Sequence, residues 1–78
     1  MDKIVVYTKN NCFPCKMTKR YLTEHGFEFT EKNIDTDLEA LEFLMEQGVK
    51  QAPAIFVNDY LYLTGFNPSM LRVLGGEK

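Results

Sequence analysis

Two cysteines three positions apart, Cys12 and Cys15, stand between a short apolar run and a helical pattern. Residues 3–8 contain the β-branched and aromatic run 4–7, which predicts a short buried strand. The polar residues that follow predict a turn, and the pattern over residues 13–25 predicts a helix that begins at the cysteines. A strand, a turn and a helix that starts with Cys-x-x-Cys are typical of a redox-active dithiol.

The helix start suits a reactive sulfur. The first backbone N–H groups of a helix lack partners and the macrodipole is positive there, so a thiolate is stabilised. We therefore expect Cys12 to attack a disulfide as the nucleophile, and Cys15, one turn later on the same face, to resolve the mixed disulfide. Pro14 fits the first turn because its missing N–H has no helical partner, and it stiffens the loop between the sulfurs.

Two other interpretations of the cysteine pair are a metal site and a structural disulfide. A structural zinc usually takes four ligands, and this chain offers two cysteines and one histidine, His25. His25 is better explained as a last-turn residue that favours the helix C-terminus. Disulfide scaffolds usually carry more cysteines in a secretory context. The redox interpretation is therefore favoured over both.

The length of 78 residues predicts one domain, residues 1–78. No apolar run approaches the roughly 18 residues of a membrane span, and the N-terminal residues lack a signal-peptide pattern. We therefore expect a cytoplasmic monomer in a reducing compartment, with no membrane association.

The charges are segregated along the chain, although the net charge is only −2. Basic residues dominate residues 1–20, which hold the cysteines, and acidic residues dominate residues 21–48. Lys9 and Lys16 are nearest to the cysteines, where they would stabilise a thiolate or attract an acidic protein. The alternative is a solvated helix face with no special role. Nucleic-acid binding is not expected of an acidic chain without interleaved aromatic and basic residues.

The rest of the chain continues the alternation of strands and helices. Gly26 is expected to end the first helix, after which residues 27–33 predict a parallel strand of a βαβ unit. Residues 36–39 match a capping box, so Thr36 is the expected N-cap of a helix that runs to about residue 47. A strand at 54–57, the turn Asn58-Asp59 and a strand at 60–63 predict a hairpin.

The last helix is expected to start with Asn67 as N-cap and Pro68 as its first residue, and to end at Gly75-Gly76 before a loose tail. The residues expected to face the core from the three helices are Phe13, Met17, Tyr21 and Leu22, then Leu38, Leu41, Leu44 and Met45, then Met70, Leu71, Val73 and Leu74. The predicted architecture is α/β, in the order β-α-β-α-β-β-α, with a four-stranded mixed sheet and three helices.

These residues resemble the thioredoxin superfamily and, more closely, the glutaredoxins. The resemblance spans essentially the whole chain. It is carried by the cysteine pair, by Ala52-Pro53 before the third strand, by the hairpin and by the glycine-led turn before the last helix. Residues 50–53 and 64–68 are most similar to those of the NrdH-redoxins, although Asn67 stands where that group usually has arginine.

The resemblance implies a protein disulfide reductase that donates electrons to a class Ib ribonucleotide reductase and is re-reduced by thioredoxin reductase. It implies no cofactor beyond the redox-active disulfide Cys12–Cys15. A cis bond before Pro53 would expose the backbone of Ala52 to an extended substrate. Phe66 is expected either to anchor the partner or to pack in the core. The residues expected to contact a protein partner are Lys9, Phe13, Pro14, Lys50, Gln51, Ala52, Pro53, Thr64, Gly65 and Phe66.

Glutathione binding separates the two main functional hypotheses. Glutaredoxins that use glutathione typically carry an aspartate near the start of the last helix, where this chain has residues 67–69, Asn-Pro-Ser. We therefore expect poor glutathione binding. A glutathione-dependent glutaredoxin remains the alternative, and a non-enzymatic iron–sulfur or zinc carrier is a third hypothesis of a different class.

Overall fold

The computed structural model describes residues 3–75, which form seven elements in the predicted order. Within these residues, no helix is long and apolar enough to cross a membrane. The elements are β1 (Ile4–Thr8), α1 (Phe13–Glu24), β2 (Thr30–Asn33), α2 (Leu38–Glu46), β3 (Ala54–Val57), β4 (Tyr60–Thr64) and α3 (Pro68–Leu74).

The four strands form one mixed sheet in the order β2-β1-β3-β4. Strand β1 pairs in parallel with β2 and antiparallel with β3, and β3 pairs antiparallel with β4. The hairpin turn has positive φ at both Asn58 and Asp59, as a two-residue turn of this kind requires. The predicted four-stranded mixed sheet is confirmed.

Strand β1 is buried on both faces, and this explains its continuous apolar sequence. Its side chains alternate between two hydrophobic clusters because successive residues of a strand point to opposite faces. Val6 packs with Leu22 of α1 and Leu71 of α3 on one face. Tyr7 packs with Leu44 of α2 on the other face. The loop that leads to the cysteines therefore follows a strand that is buried on both faces.

Strand β2 is shorter than predicted and begins at Thr30 instead of residue 27. Gly26 adopts a positive φ, as predicted for the residue that ends α1. The N–H of Phe27 then donates to the carbonyl of Leu22 at 2.9 Å, so this residue closes the helix instead of pairing in the sheet. Phe27 and Phe29 pack partly buried against the cluster beneath α1.

The predicted inward face of α1 is confirmed at Leu22, which is fully buried, and is wrong at Phe13. Phe13 is 71% exposed, and Met17 and Tyr21 are only partly buried. The residues that face the sheet are Cys15, Thr18 and Leu22, which are spaced i, i+3 and i+7 along one helical stripe.

The start of α2 differs from the prediction by one residue. Asp37, not Thr36, is the N-cap, and its carboxylate accepts a hydrogen bond from the Ala40 N–H at 3.2 Å. The Thr36 hydroxyl donates instead to the carbonyl of Asn33 at 3.3 Å. Both residue types cap helices well, so local preference alone does not separate them.

The inward faces of α2 and α3 are narrower than predicted. Ala40 and Leu44 are the buried residues of α2, and Leu71 is the buried residue of α3. The predicted core residues that the structure leaves exposed are Leu38, Met45, Met70 and Val73.

The predicted cap of α3 is confirmed. The Asn67 side chain accepts a hydrogen bond from the Met70 N–H at 3.2 Å. At the other end, Gly75 is the C-cap, while Gly76 and the predicted loose tail lie outside the described residues.

Candidate active site

The Cys12–Cys15 pair lies at the first turn of α1 and is joined by a disulfide bond, with 5.2 Å between the Cα atoms. Cys12 is the N-cap of the helix, with extended backbone angles. The N–H of Cys15 donates to the sulfur of Cys12 at 3.2 Å. A sulfur thus takes the place that a side-chain oxygen usually holds at an N-cap.

Both cysteines are buried in the disulfide form, Cys15 more deeply than Cys12. Cys12 is 6% exposed and Cys15 is 2% exposed, on the face of α1 that packs on the sheet. When Cys12 carries a thiolate, its hydrogen bond from the Cys15 N–H becomes charge-assisted and therefore stronger. The positive end of the helix acts in the same direction. The geometry thus favours a reactive Cys12 and a shielded Cys15.

The segment before β3 lies against Cys12. The Ala52–Pro53 peptide bond is cis, and the carbonyl oxygen of Ala52 is 3.8 Å from the sulfur of Cys12. The carbonyl of Pro53 accepts a hydrogen bond from the Gly65 N–H at 2.8 Å. Gly65 has a positive φ, which suits glycine. The turn after β4 is thereby tied to the segment that faces the cysteines.

Four of the predicted partner-binding residues line a cavity of about 210 Å³ beside Ala52. Lys9 comes from the loop after β1, and the other three are Lys50, Gln51 and Ala52. The remaining lining is apolar and was not predicted as part of the site: Ile34, Leu41, Leu44, Met45 and Val49. No sequence signal pointed to this lining, because the helical pattern assigned Met45 to the core, whereas it is exposed in the structure.

Phe66 does not line that cavity, so the residues predicted to contact a partner lie on two surfaces. Its ring is partly buried against the cluster beneath α1 and α3. It also lines a second cavity of about 330 Å³, together with Met17 and Tyr21 of α1. The packing role expected of Phe66 is therefore confirmed in part, and its role as a partner anchor stays a prediction. Thr64, Phe13 and Pro14 are exposed.

His25 lies at the opposite end of α1 from the cysteines. It is the C-cap residue, and its Nδ1 is 2.9 Å from the carbonyl of Tyr21. Its ring stacks on that of Tyr21 with 3.9 Å between the centroids. Within residues 3–75, no three His, Cys, Asp or Glu side chains are grouped as a metal site would require.

A carboxylate next to the strand that leads to the cysteines is held by two hydrogen bonds. Glu31 accepts from the buried hydroxyl of Thr8 at 2.8 Å and from Lys19 at 2.9 Å. Burial raises the pKa of the Glu31 carboxyl, but the bonds from Lys19 and Thr8 outweigh it and the pKa falls below its usual value of 4.5. Lys19 of α1 and Glu31 of β2 thus join the helix to the sheet.

We expect Glu31→Gln to lower the free energy of unfolding by less than about 1 kcal/mol at neutral pH, because Glu31 is 37% exposed and solvent screens the pair. A lowered folded-state pKa stabilises the protein above the unfolded-state pKa. This contribution is lost as the pH falls through the folded-state pKa. The difference between variant and wild type should therefore disappear in acid. Urea unfolding at a series of pH values measures it.

The exposed carboxyl of Glu28 provides the control, as Glu28→Gln should leave the pH profile unchanged. A Glu31→Gln difference that persists unchanged into acid would show that the charge of Glu31 contributes nothing.

Comparison with known proteins shows to which family this chain belongs. The sequence profile of the glutaredoxin family matches residues 4–61. The chain belongs to the glutaredoxin family. It is 45% identical over 71 residues to a glutaredoxin-like protein NrdH of Lactococcus lactis, covering 91% of this chain and 97% of that protein. It is 40% identical over 72 residues to the Escherichia coli NrdH protein, covering 92% and 88%.

The solved structures agree with this assignment. The structure superposes on the Escherichia coli NrdH-redoxin with a TM-score of 0.83 and 39% identity, covering 92% of this chain and 93% of that one. The predicted thioredoxin/glutaredoxin-like fold and the NrdH resemblance are thereby confirmed. This glutaredoxin-family chain is an NrdH-like thiol-disulfide oxidoreductase with a redox-active cysteine pair.

Proposed function

We propose that this protein carries two electrons from thioredoxin reductase to the disulfide of a class Ib ribonucleotide reductase in the cytoplasm. The observation that supports this most is the placement of Cys12 at the N-cap of α1, against the backbone of Ala52. The similarity to NrdH proteins supports the choice of partners. The Escherichia coli NrdH-redoxin, for its part, is described as having a thioredoxin-like activity profile.

The proposed reaction begins with the Cys12 thiolate. It attacks one sulfur of the substrate disulfide, forms a mixed disulfide and releases the other substrate sulfur as a thiolate, which takes up a proton. The Cys15 thiolate then attacks the Cys12 sulfur, the Cys12–Cys15 disulfide closes, and the second substrate sulfur leaves and is protonated. Two electrons have passed to the substrate. The reaction uses no cofactor beyond the disulfide.

The residues around the cysteines suit a protein substrate. An extended substrate segment can pair with the backbone of Ala52, whose carbonyl lies 3.8 Å from the reactive sulfur. Lys9 and Lys50 line the cavity beside that segment and provide positive charge for an acidic partner. Phe13 presents an exposed ring next to Cys12. We assign partner binding to this surface together with Pro14, Gln51, Thr64 and Gly65, and to the separate surface that Phe66 lines. Pro53, also predicted to contact the partner, has a fully buried side chain, so it contributes only through its backbone beside Ala52.

Glutathione is disfavoured as the reductant because the start of α3 lacks a carboxylate. Asn67 supplies an amide where a carboxylate would be needed to bind the glutathione amino group. Its side-chain oxygen is engaged by the Met70 N–H as the helix cap. The next two residues, Pro68 and Ser69, supply no carboxylate either.

Re-reduction of the oxidised protein tests the proposal. NADPH with thioredoxin reductase should reduce it at least about tenfold faster than NADPH with glutathione and glutathione reductase, because the latter needs a glutathione site. The reduced protein should then support turnover of a class Ib ribonucleotide reductase. NADPH consumption follows the first reaction and deoxyribonucleotide formation the second.

The matched control is Asn67→Asp, which adds a carboxylate at the start of α3 and keeps a good N-cap. This variant should gain rate with glutathione and keep its rate with thioredoxin reductase. Fast reduction of the wild type by glutathione alone would identify a glutathione-dependent glutaredoxin instead. Generic disulfide reduction without any ribonucleotide reductase turnover would refute the partner assignment.

A further inference from the structure

Two threonine hydroxyls are buried close to the sheet, and they differ in one respect. The Thr8 hydroxyl donates to Glu31 at 2.8 Å. The Thr18 hydroxyl is fully buried, at 0% exposure, and has no hydrogen-bond partner within residues 3–75. A buried hydroxyl without a partner is destabilising and uncommon in folded proteins. Thr18 therefore calls for an explanation that the fold alone does not give.

The position of Thr18 on α1 places it next to the redox pair. Cys15, Thr18 and Leu22 form the inward face of the helix. Residues i and i+3 of a helix are neighbours on its surface. Helical side chains also tilt toward the N-terminus, so that of Thr18 lies over the turn that carries Cys15 and Pro14. The hydroxyl is thus buried over the turn that holds the shielded sulfur.

In the disulfide form this hydroxyl has no hydrogen bond to the Cys15 sulfur either. In the form described here the Cys15 sulfur is bonded to Cys12. A neutral divalent sulfur is a weak acceptor, whereas a thiolate is a strong one. An incoming dithiol attacks Cys12, the S–S bond breaks, and the leaving electron pair remains on Cys15. The acceptor that Thr18 lacks is thereby created next to it.

We propose that Thr18 is a positioning residue of the redox cycle, whose hydroxyl donates a hydrogen bond to the Cys15 sulfur when the disulfide opens. Cys15 leaves as a thiolate, accepts the hydrogen bond from Thr18 and then takes up a proton, as Cys12 does, so that the external dithiol loses two electrons and two protons and becomes a disulfide. The freed Cys15 sulfur remains an acceptor for Thr18 after it is protonated, although a weaker one. The inference rests on the proposed redox roles of these two cysteines. Thr18 would favour the reduced form and assist Cys15 as the leaving group.

The redox equilibrium with a small dithiol tests this role. Oxidised and reduced protein are equilibrated in dithiothreitol buffers, and the two forms are separated after acid quenching and alkylation. Thr18→Val keeps the shape of the side chain and removes the donor. It should shift the equilibrium about fivefold toward the disulfide, which corresponds to a fall of about 20 mV in the two-electron potential.

Three further variants separate this role from a structural one. Thr18→Ser keeps a hydroxyl and should stay within twofold of the wild type, whereas Thr18→Ala should shift in the same direction as valine. Thr23→Val makes the same chemical change at an exposed position of α1 and should have no effect. Urea unfolding of both redox forms should show that valine stabilises the disulfide form more than the dithiol form.

An unchanged equilibrium in both Thr18→Val and Thr18→Ala would overturn the proposal, and so would a shift toward the dithiol. If valine impairs folding, the serine and alanine variants still decide between the outcomes. The assay contains neither thioredoxin reductase nor ribonucleotide reductase. A wrong choice of partners in the proposed function would therefore leave this result unaffected.

Discussion

Cys15→Ser should accumulate a mixed disulfide with a protein substrate through Cys12, whereas Cys12→Ser should accumulate none. In the first variant the nucleophile at the N-cap remains and the resolving thiol is absent, so the reaction stops half-way. In the second variant only the cysteine that is 2% exposed remains. Turnover with a protein disulfide should fall by on the order of 10³-fold or more in both variants, because each removes an essential member of a unit.

The trapped species is measured by non-reducing electrophoresis and by mass spectrometry of the linked peptides. The Cys12→Ser/Cys15→Ser double variant controls for non-covalent association. A stable adduct through Cys15 in the Cys12→Ser protein, with none in the Cys15→Ser protein, would reverse the assigned roles.

Phe56→Ala should lower the free energy of unfolding by about 3–5 kcal/mol. Phe56 of β3 is buried, and its ring centroid lies 5.3 Å from that of Tyr7 and 5.1 Å from that of Phe43. These rings connect the sheet to α2, and truncation leaves a cavity that the paired strands cannot close. Since small domains are stable by about 5–15 kcal/mol, this loss would unfold a large part of the population on modest heating.

Phe13→Ala makes the same chemical change on a ring that is 71% exposed, so it should alter the free energy of unfolding by about 0.5 kcal/mol or less. Urea unfolding monitored by circular dichroism compares the two variants. Equal losses of stability would mean that the aromatic contacts around Phe56 do not determine the stability of this fold.

The order of the strands and helices could be predicted because the local sequence preferences agree with the way these elements pack in the folded protein. The central strand β1 is buried on both faces, so its apolar run is continuous. Hairpin chemistry marked the turn at Asn58-Asp59, and Asn67 followed by a proline marked the start of α3. Each of these signals is local in sequence, and the structure contains the turn or the helix start that each one predicts.

Only Leu22 of the inward face of α1 could be predicted, because Cys15 of the active site lies on the same face. Phe13 has the apolar character of a core residue, yet it lies exposed beside Cys12. Cys15 and Thr18 are less apolar and occupy the buried stripe instead. A pattern based on hydrophobicity assigns the largest side chains to the core, so it fails where apolar surface is left exposed.

Local sequence patterns also could not predict that segments far apart in the chain would form the site together. Lys9 and Lys50 are far apart in sequence, and they line one cavity only because β3 lies antiparallel beside β1. The resemblance to a known family predicted which residues would face a partner. It did not indicate that Phe66 would line a different cavity from the two lysines.

The short separation of the two cysteines has a consequence for the energetics of the whole chain. A cross-link stabilises a protein mainly by restricting the unfolded chain, and the effect grows with the size of the closed loop. Cys12 and Cys15 are three positions apart, so closing this loop removes chain entropy worth only about 2 kcal/mol at 25 °C, against roughly 4.7 kcal/mol for a 100-residue loop. Opening this bond in each redox cycle therefore costs the folded protein far less than opening a disulfide that closes a long loop would.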